Sequence, residues 1–85
     1  MAYTVHLERR AERELRRLPR DVLKRTDAVF LQLAVDPIPA GAVKLSGRTN
    51  DGWRISVGDY RILYRIEGER IVIYRIRHRR DAYRQ

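Results

Sequence analysis

The chain has 85 residues, no cysteine and a formal net charge of +8, from 19 Lys and Arg against 11 Asp and Glu. That length allows one domain, residues 1–85, near the lower limit for an unaided core, and the missing cysteines exclude disulfides and a thiolate zinc site. No apolar run approaches the roughly 20 residues of a membrane span, and MAYTVHLERR lacks the basic-then-apolar order of a signal peptide, so a cytoplasmic protein without a membrane partner is expected.

Residues 2–7, rich in Tyr, Thr and Val, predict a short strand. Over residues 8–18 the period changes, with Ala11, Leu15 and Leu18 recurring at helical spacing among charges. Pro19 ends that helix and can open the next. Residues 21–35 carry Val22, Leu23, Val29, Phe30 and Leu33 in an amphipathic pattern, which makes a helical hairpin with one apolar side. DPIPAG at 36–41 stops the second helix. From Lys44 the period becomes two. Lys44 and Leu45 begin a strand, GRTNDG at 47–52 is a turn or loop, and strands are predicted over 53–57, 60–66 and 70–77. Gly58-Asp59 and Glu67-Gly68-Glu69 supply the turns between them. The order is β-α-α-β-β-β: an α+β fold with an antiparallel meander backed by the helical hairpin.

Charge is unevenly spread. Residues 1–43 carry 8 basic and 6 acidic groups, whereas residues 44–85 carry 11 and 5. Seventeen of the 19 basic residues are arginine, whose planar fork suits phosphate and stacks on bases. A polyanion such as RNA or DNA should therefore meet the C-terminal half. Strand alternation sharpens this, because successive side chains point to opposite faces. One face takes Trp53, Ile55, Val57, Tyr60, Ile62, Tyr64, Ile66, Val72, Tyr74 and Ile76, and the helices should cover it. The other takes Arg54, Ser56, Arg61, Leu63, Arg65, Ile71, Ile73, Arg75 and Arg77: a cationic, partly apolar face with no acid inside the strands.

ERRAERELRRLP after the opening strand, KL followed by a loop and WRISVGDYRILY, and the closing IRHRRDAYR span nearly the whole chain. Through them the chain resembles the RelE/ParE superfamily of bacterial and archaeal toxins from type II toxin–antitoxin modules, most closely the RelE branch of mRNA interferases. The resemblance implies an endoribonuclease that cuts mRNA, in many members within the ribosomal A site. The RNA's own 2′-hydroxyl attacks the adjacent phosphate, with no metal and no cofactor, and a cognate antitoxin protein wraps and neutralises the toxin. Carried onto this sequence, Arg61 in GDYR holds the scissile phosphate. Arg79, with Arg80 as the register alternative, stabilises transition-state charge, and Tyr83 stacks on a base or moves a proton. Arg54 occupies a basic position on the preceding strand, and Arg65, Arg75, Arg77 and Lys44 are expected to contact RNA.

The departures are specific. Some relatives carry a lysine pair at i, i+2 where this chain has Arg54 and Ser56. Arginine, with a pKa near 13, is a poor general base. Imidazole titrates near neutrality, so His78 is the natural substitute, against the plainer reading of a hydrogen-bonder at a strand end. Its parity places it on the Ile76 side unless the strand bulges. His6, Trp53, Tyr60 and Tyr64 read as structural. A ParE-like DNA gyrase poison that cuts no nucleic acid shares the same fold, and an inactive RNA-binding homologue is the third possibility.

Overall fold

Helical spacing of Ala11, Leu15 and Leu18 and two-residue alternation beyond Lys44 give the α+β architecture that the sequence predicts. The computed structural model describes residues 2–45 and 52–82, with backbone alone at Asp81 and Ala82. Tyr83 and most of the expected turn at 47–52 lie outside the described residues. In order, the elements are β1 (Thr4–Leu7), α1 (Arg9–Arg16), α2 (Arg20–Val35), β2 (Val43–Lys44), β3 (Gly52–Val57), β4 (Tyr60–Glu67), β5 (Arg70–His78) and α3 (Arg79–Ala82). The strands form one sheet in the order β1-β5-β4-β3-β2, antiparallel except for the β1–β5 pair. Both β3–β4 and β4–β5 close on two residues. The first of each, Gly58 or Gly68, has φ near +60°, a conformation glycine supplies without strain. No described helix is long and apolar enough to cross a membrane.

Alternation holds through β3 and β4 but slips in β5. Tyr60 faces His78 and Ile62 faces Ile76, yet Tyr64 faces Ile73 and Ile66 faces Ile71, because a bulge leaves Tyr74 as an extra residue. The slip reverses the expected orientation of everything before it. Ile71 and Ile73 are wholly buried in the core with Ala11, Leu33, Ile55, Ile62 and Tyr64, not on the cationic face. Val72 and Tyr74 instead lie on the outer face, where Val72 is covered. The Tyr74 hydroxyl sits so close over Gly52 that a Cβ there would meet it at 2.8 Å. A larger residue at that point of β3 would force the Tyr74 side chain to shift.

β1 ends opposite Ile73, whereas β5 runs on to His78, which leaves the outer edge of β5 without a strand partner. The chain fills that edge with α1. Glu8 continues the ladder by donating its N–H to the Ile73 carbonyl at 2.9 Å, and the small Ala11 brings the helix close. The Glu14 carboxylate then accepts the Ile76 N–H at 2.8 Å. A carboxylate thus stands in for the missing strand carbonyl.

Tyr64 anchors the far side of the core. It is fully buried and donates its hydroxyl to the Pro37 carbonyl at 2.8 Å, tying the post-α2 loop to the sheet. Burial, aided by the nearby Asp36 charge, pushes its pKa up to about 12. An unfolded tyrosine ionises near pH 10. The neutral hydroxyl therefore contributes stability that is complete below pH 10 and is lost as the pH rises towards about 12. Tyr64→Phe should cost about 1 kcal/mol at neutral pH and flatten the alkaline loss of stability, both measurable by urea denaturation across that range.

Candidate functional site

The face turned away from the helices is arranged in three rungs that run across the strands. The first is Ser56–Arg61–Arg77, the second Val43–Arg54–Leu63–Arg75, and the third Gly52–Arg65–Val72. Each rung treats its arginines differently.

In the third rung, Arg65 is held by two carboxylates. Its Nη2 donates to Glu8 at 2.9 Å and its Nε to Glu67, while its guanidinium lies 5.8 Å from the Tyr74 ring centre. The bond to Glu67, and then that to Glu8, raise the Arg65 pKa, and the same bond to Arg65 holds the Glu67 carboxyl below the usual range. Burial raises the Tyr74 pKa. In the second rung Arg75, three-quarters buried, donates Nε to Glu14 at 3.1 Å. The acid that sequence alternation did not find inside the strands arrives from Glu8 ahead of α1, from Glu14 on α1 and from Glu67 at the end of β4. Arg65 and Arg75 therefore lie in ion pairs instead of on an uncompensated cationic surface.

The first rung is different. Arg61 and Arg77 face each other directly across β4 and β5, a like-charge cross-strand pair that disfavours the sheet unless an anion or other group offsets it. Arg61 is steered from the other side by Ser56, whose Oγ accepts from Nη1 at 3.1 Å. Arg54 follows along the face, half-buried, on the second rung. Arg79 stands at the same end of the sheet as Arg61: its N–H extends the ladder to the Asp59 carbonyl at 2.7 Å, and its exposed guanidinium approaches Asp59 at 3.7 Å. Such an exposed ion pair contributes little to stability and is easily exchanged for another anion.

Two expected residues sit elsewhere. Lys44 pairs with Trp53, which puts it on the helix side of the sheet, away from Arg54. His78 keeps the parity of Ile76 and faces Tyr60, on the opposite side from Arg61 and Arg77. Its ring meets Tyr60 edge-on at 5.1 Å, and its Nδ1 accepts the Arg80 N–H at 3.1 Å. With Nδ1 occupied as acceptor, the neutral imidazole carries its proton on Nε2. Its acceptor nitrogen is taken up by that backbone bond, and it lies on the side of the sheet away from Arg61, which together argue against a general base. Arg80 itself is exposed on α3, and His6 is exposed on β1. Among the described residues, no three His, Cys, Asp or Glu side chains gather as metal ligands.

Residues 5–83 match the family described as the ParE toxin of the type II toxin–antitoxin system, parDE. Toxin RelG of Mycobacterium tuberculosis is 35% identical over 88 residues, with both chains covered in full. The chain is a RelE/ParE-superfamily toxin. Its fold superposes on the archaeal RelE–RelB complex from Pyrococcus horikoshii with a TM-score of 0.81 at 27% identity, covering 93% of this chain and 97% of that one. It superposes on the RelBE2 toxin–antitoxin complex from Mycobacterium tuberculosis with a TM-score of 0.77 at 29% identity, covering 92% and 99%.

In this toxin, sequence reasoning missed Glu8, Glu14 and the steering role of Ser56. A usable signal existed for Glu14: a four-residue first strand cannot cover the edge of a much longer last one, so an acceptor had to come from the helix between them. Glu14→Ala should cost roughly 2–3 kcal/mol, because it strands both the Ile76 N–H and the Arg75 side chain. Glu14→Gln, which keeps one acceptor oxygen, should recover part of that in chemical denaturation.

Proposed function

We propose that this toxin is an mRNA interferase of the RelE kind, a metal-independent endoribonuclease that cuts mRNA in the ribosomal A site and is restrained by a cognate antitoxin. The observation that carries the reading is the opposed Arg61–Arg77 pair steered by Ser56. Two arginines opposite each other on one face of neighbouring strands suit a phosphodiester that gains negative charge at its transition state. The RelE–RelB pairing in the similar structures supports the antitoxin as partner.

In the proposed reaction, the 2′-oxygen of one nucleotide forms a bond to the adjacent phosphorus as the bond from phosphorus to the 5′-oxygen breaks. The 2′-hydroxyl loses its proton and the departing 5′-oxygen gains one, leaving a 2′,3′-cyclic phosphate and a 5′-hydroxyl. Arg61 and Arg77 hold the non-bridging oxygens, and Arg79 exchanges Asp59 for substrate phosphate. Arg54 guides the strand along the face, with Arg80 at its margin, and Tyr83 stacks on a base or moves a proton; Lys44, on the helix side, is assigned no part. Arg65 and Arg75 are assigned to binding α1 and the strand ends together. His78 is assigned no part as a base.

The match to a ParE family favours one other reading, a gyrase poison that cuts no nucleic acid. Purified toxin added to translating ribosomes should cleave mRNA at A-site codons, and Arg61→Ala should slow this by about 100- to 1,000-fold, as expected for loss of a transition-state donor. Intact mRNA together with gyrase-dependent DNA breaks would establish the other reading. A second comparison addresses Tyr83: if its ring stacks, Tyr83→Phe should keep most of the cleavage rate and Tyr83→Ala should lose it.

A further inference from the structure

β1 is the last strand on its side of the sheet, and its outer edge is open among the described residues. Thr4 and Glu8 donate their N–H groups to the Glu69 and Ile73 carbonyls on the β5 side, each at 2.9 Å. Backbone groups alternate along a strand, so those of Val5 and Leu7 point the other way, where no further strand lies. At Tyr3 the Ala34 carbonyl accepts the outward N–H at 2.6 Å and closes that end. Natural edges are usually guarded by lysine, proline or a bulge, and the TVHL of β1 has none of these.

Beside this edge runs an apolar groove of about 530 Å³ between β1 and α2. Tyr3 and Val5 form one bank, and Phe30, Leu31 and Ala34 the other. Leu31 is 73% exposed and Val35, one turn further on, 75%, although Val22, Thr26 and Leu33 already supply the core side of the same helix. Asp27 also lines the groove and would repel a phosphate, which sets this region apart from the arginines of the outer face. Beyond Leu7 the surface turns basic, with Arg9 and Arg13 exposed one turn apart on α1.

We propose that this edge and groove dock an extended, acidic segment of the antitoxin, which adds to the sheet as a sixth strand beside β1. The inference rests on the antitoxin partnership proposed above and holds whether the toxin cuts RNA or poisons gyrase. Backbone bonds to Val5 and Leu7 hold the segment, and one of its apolar side chains enters the groove against Phe30 and Leu31. That is the usual division in strand addition: main-chain bonds give affinity, and a side-chain pocket gives specificity. Acidic residues of the segment lie over Arg9 and Arg13. A second copy of this chain suits the site less well, because it brings another charge of +8 to the same surface.

Amide hydrogen exchange, compared between the toxin alone and the toxin–antitoxin complex, tests the site. In the free toxin the Val5 and Leu7 amides should exchange faster than those of Thr4 and His6, and in the complex they should slow by about 100-fold. Leu31→Ala changes a side chain already in water, so it should leave the fold intact and weaken antitoxin binding by about tenfold. Gln32→Ala, exposed on α2 outside the groove, should bind as wild type does. Arg13→Ala should slow association and lessen its dependence on salt. If the complex forms with Val5 and Leu7 exchanging as fast as in the free toxin, or with Leu31→Ala binding as tightly as wild type, the docking site is overturned while the antitoxin partnership stands. Protection of these amides in the free toxin that grows with its concentration gives the edge to a second copy and overturns the site as well. A toxin that binds no antitoxin sinks both readings.

Discussion

The hydrogen bond from the Ile76 N–H to the Glu14 carboxylate is the constraint from which much of the remaining arrangement follows. A nine-residue β5 beside a four-residue β1 leaves backbone donors at an open edge, and a buried unpaired N–H is costly. By meeting that donor, Glu14 fixes where α1 lies along the sheet. The same carboxylate binds Arg75 and sets the last turn of α1 against the end of β5. One acidic side chain thereby closes the sheet edge and neutralises a cation.

That arrangement divides the arginines of the outer face. Arg65 is enclosed by Glu8 and Glu67 and covered by the Tyr74 ring, and Arg75 is drawn to Glu14. Arg61 and Arg77 are set against each other, with only a serine hydroxyl to steer Arg61. Net charge therefore overstates the binding surface. Arg65 and Arg75 are taken up by Glu8, Glu67 and Glu14.

Much of this was legible in the sequence. Helical spacing in the first third, the two glycine turns and the alternation of WRISV and YRILYRI gave the α+β order, the core face of β3 and β4, and the placement of Arg54 and Arg61. Strict alternation failed in β5, where Ile71, Val72, Ile73 and Tyr74 are four apolar residues in succession before the regular Arg75-Ile76-Arg77. Such a run offers two apolar residues to either face, so alternation alone does not say which pair enters the core, and the bulge at Tyr74 changes the phase and sends Ile71 and Ile73 inward. The partners of Arg65 and Arg75 were illegible for another reason. Glu8 and Glu14 are distant in sequence and meet these arginines only through the parallel β1–β5 pairing, a long-range contact that local periodicity does not encode. Parity did indicate correctly that His78 faces away from Arg61, and only the Arg80 N–H on Nδ1 defines which of its nitrogens is available.

The central claim is that the arginines of one sheet face serve two different ends, RNA contact for Arg61 and structural pairing for Arg65. The salt dependence of RNA affinity, compared between Arg61→Gln and Arg65→Gln toxins, tests it most directly. Arg61→Gln should shrink the slope by about one phosphate contact, while Arg65→Gln should leave the slope at its wild-type value. An equal reduction in both would contradict the division and make the whole face a single undifferentiated cationic surface.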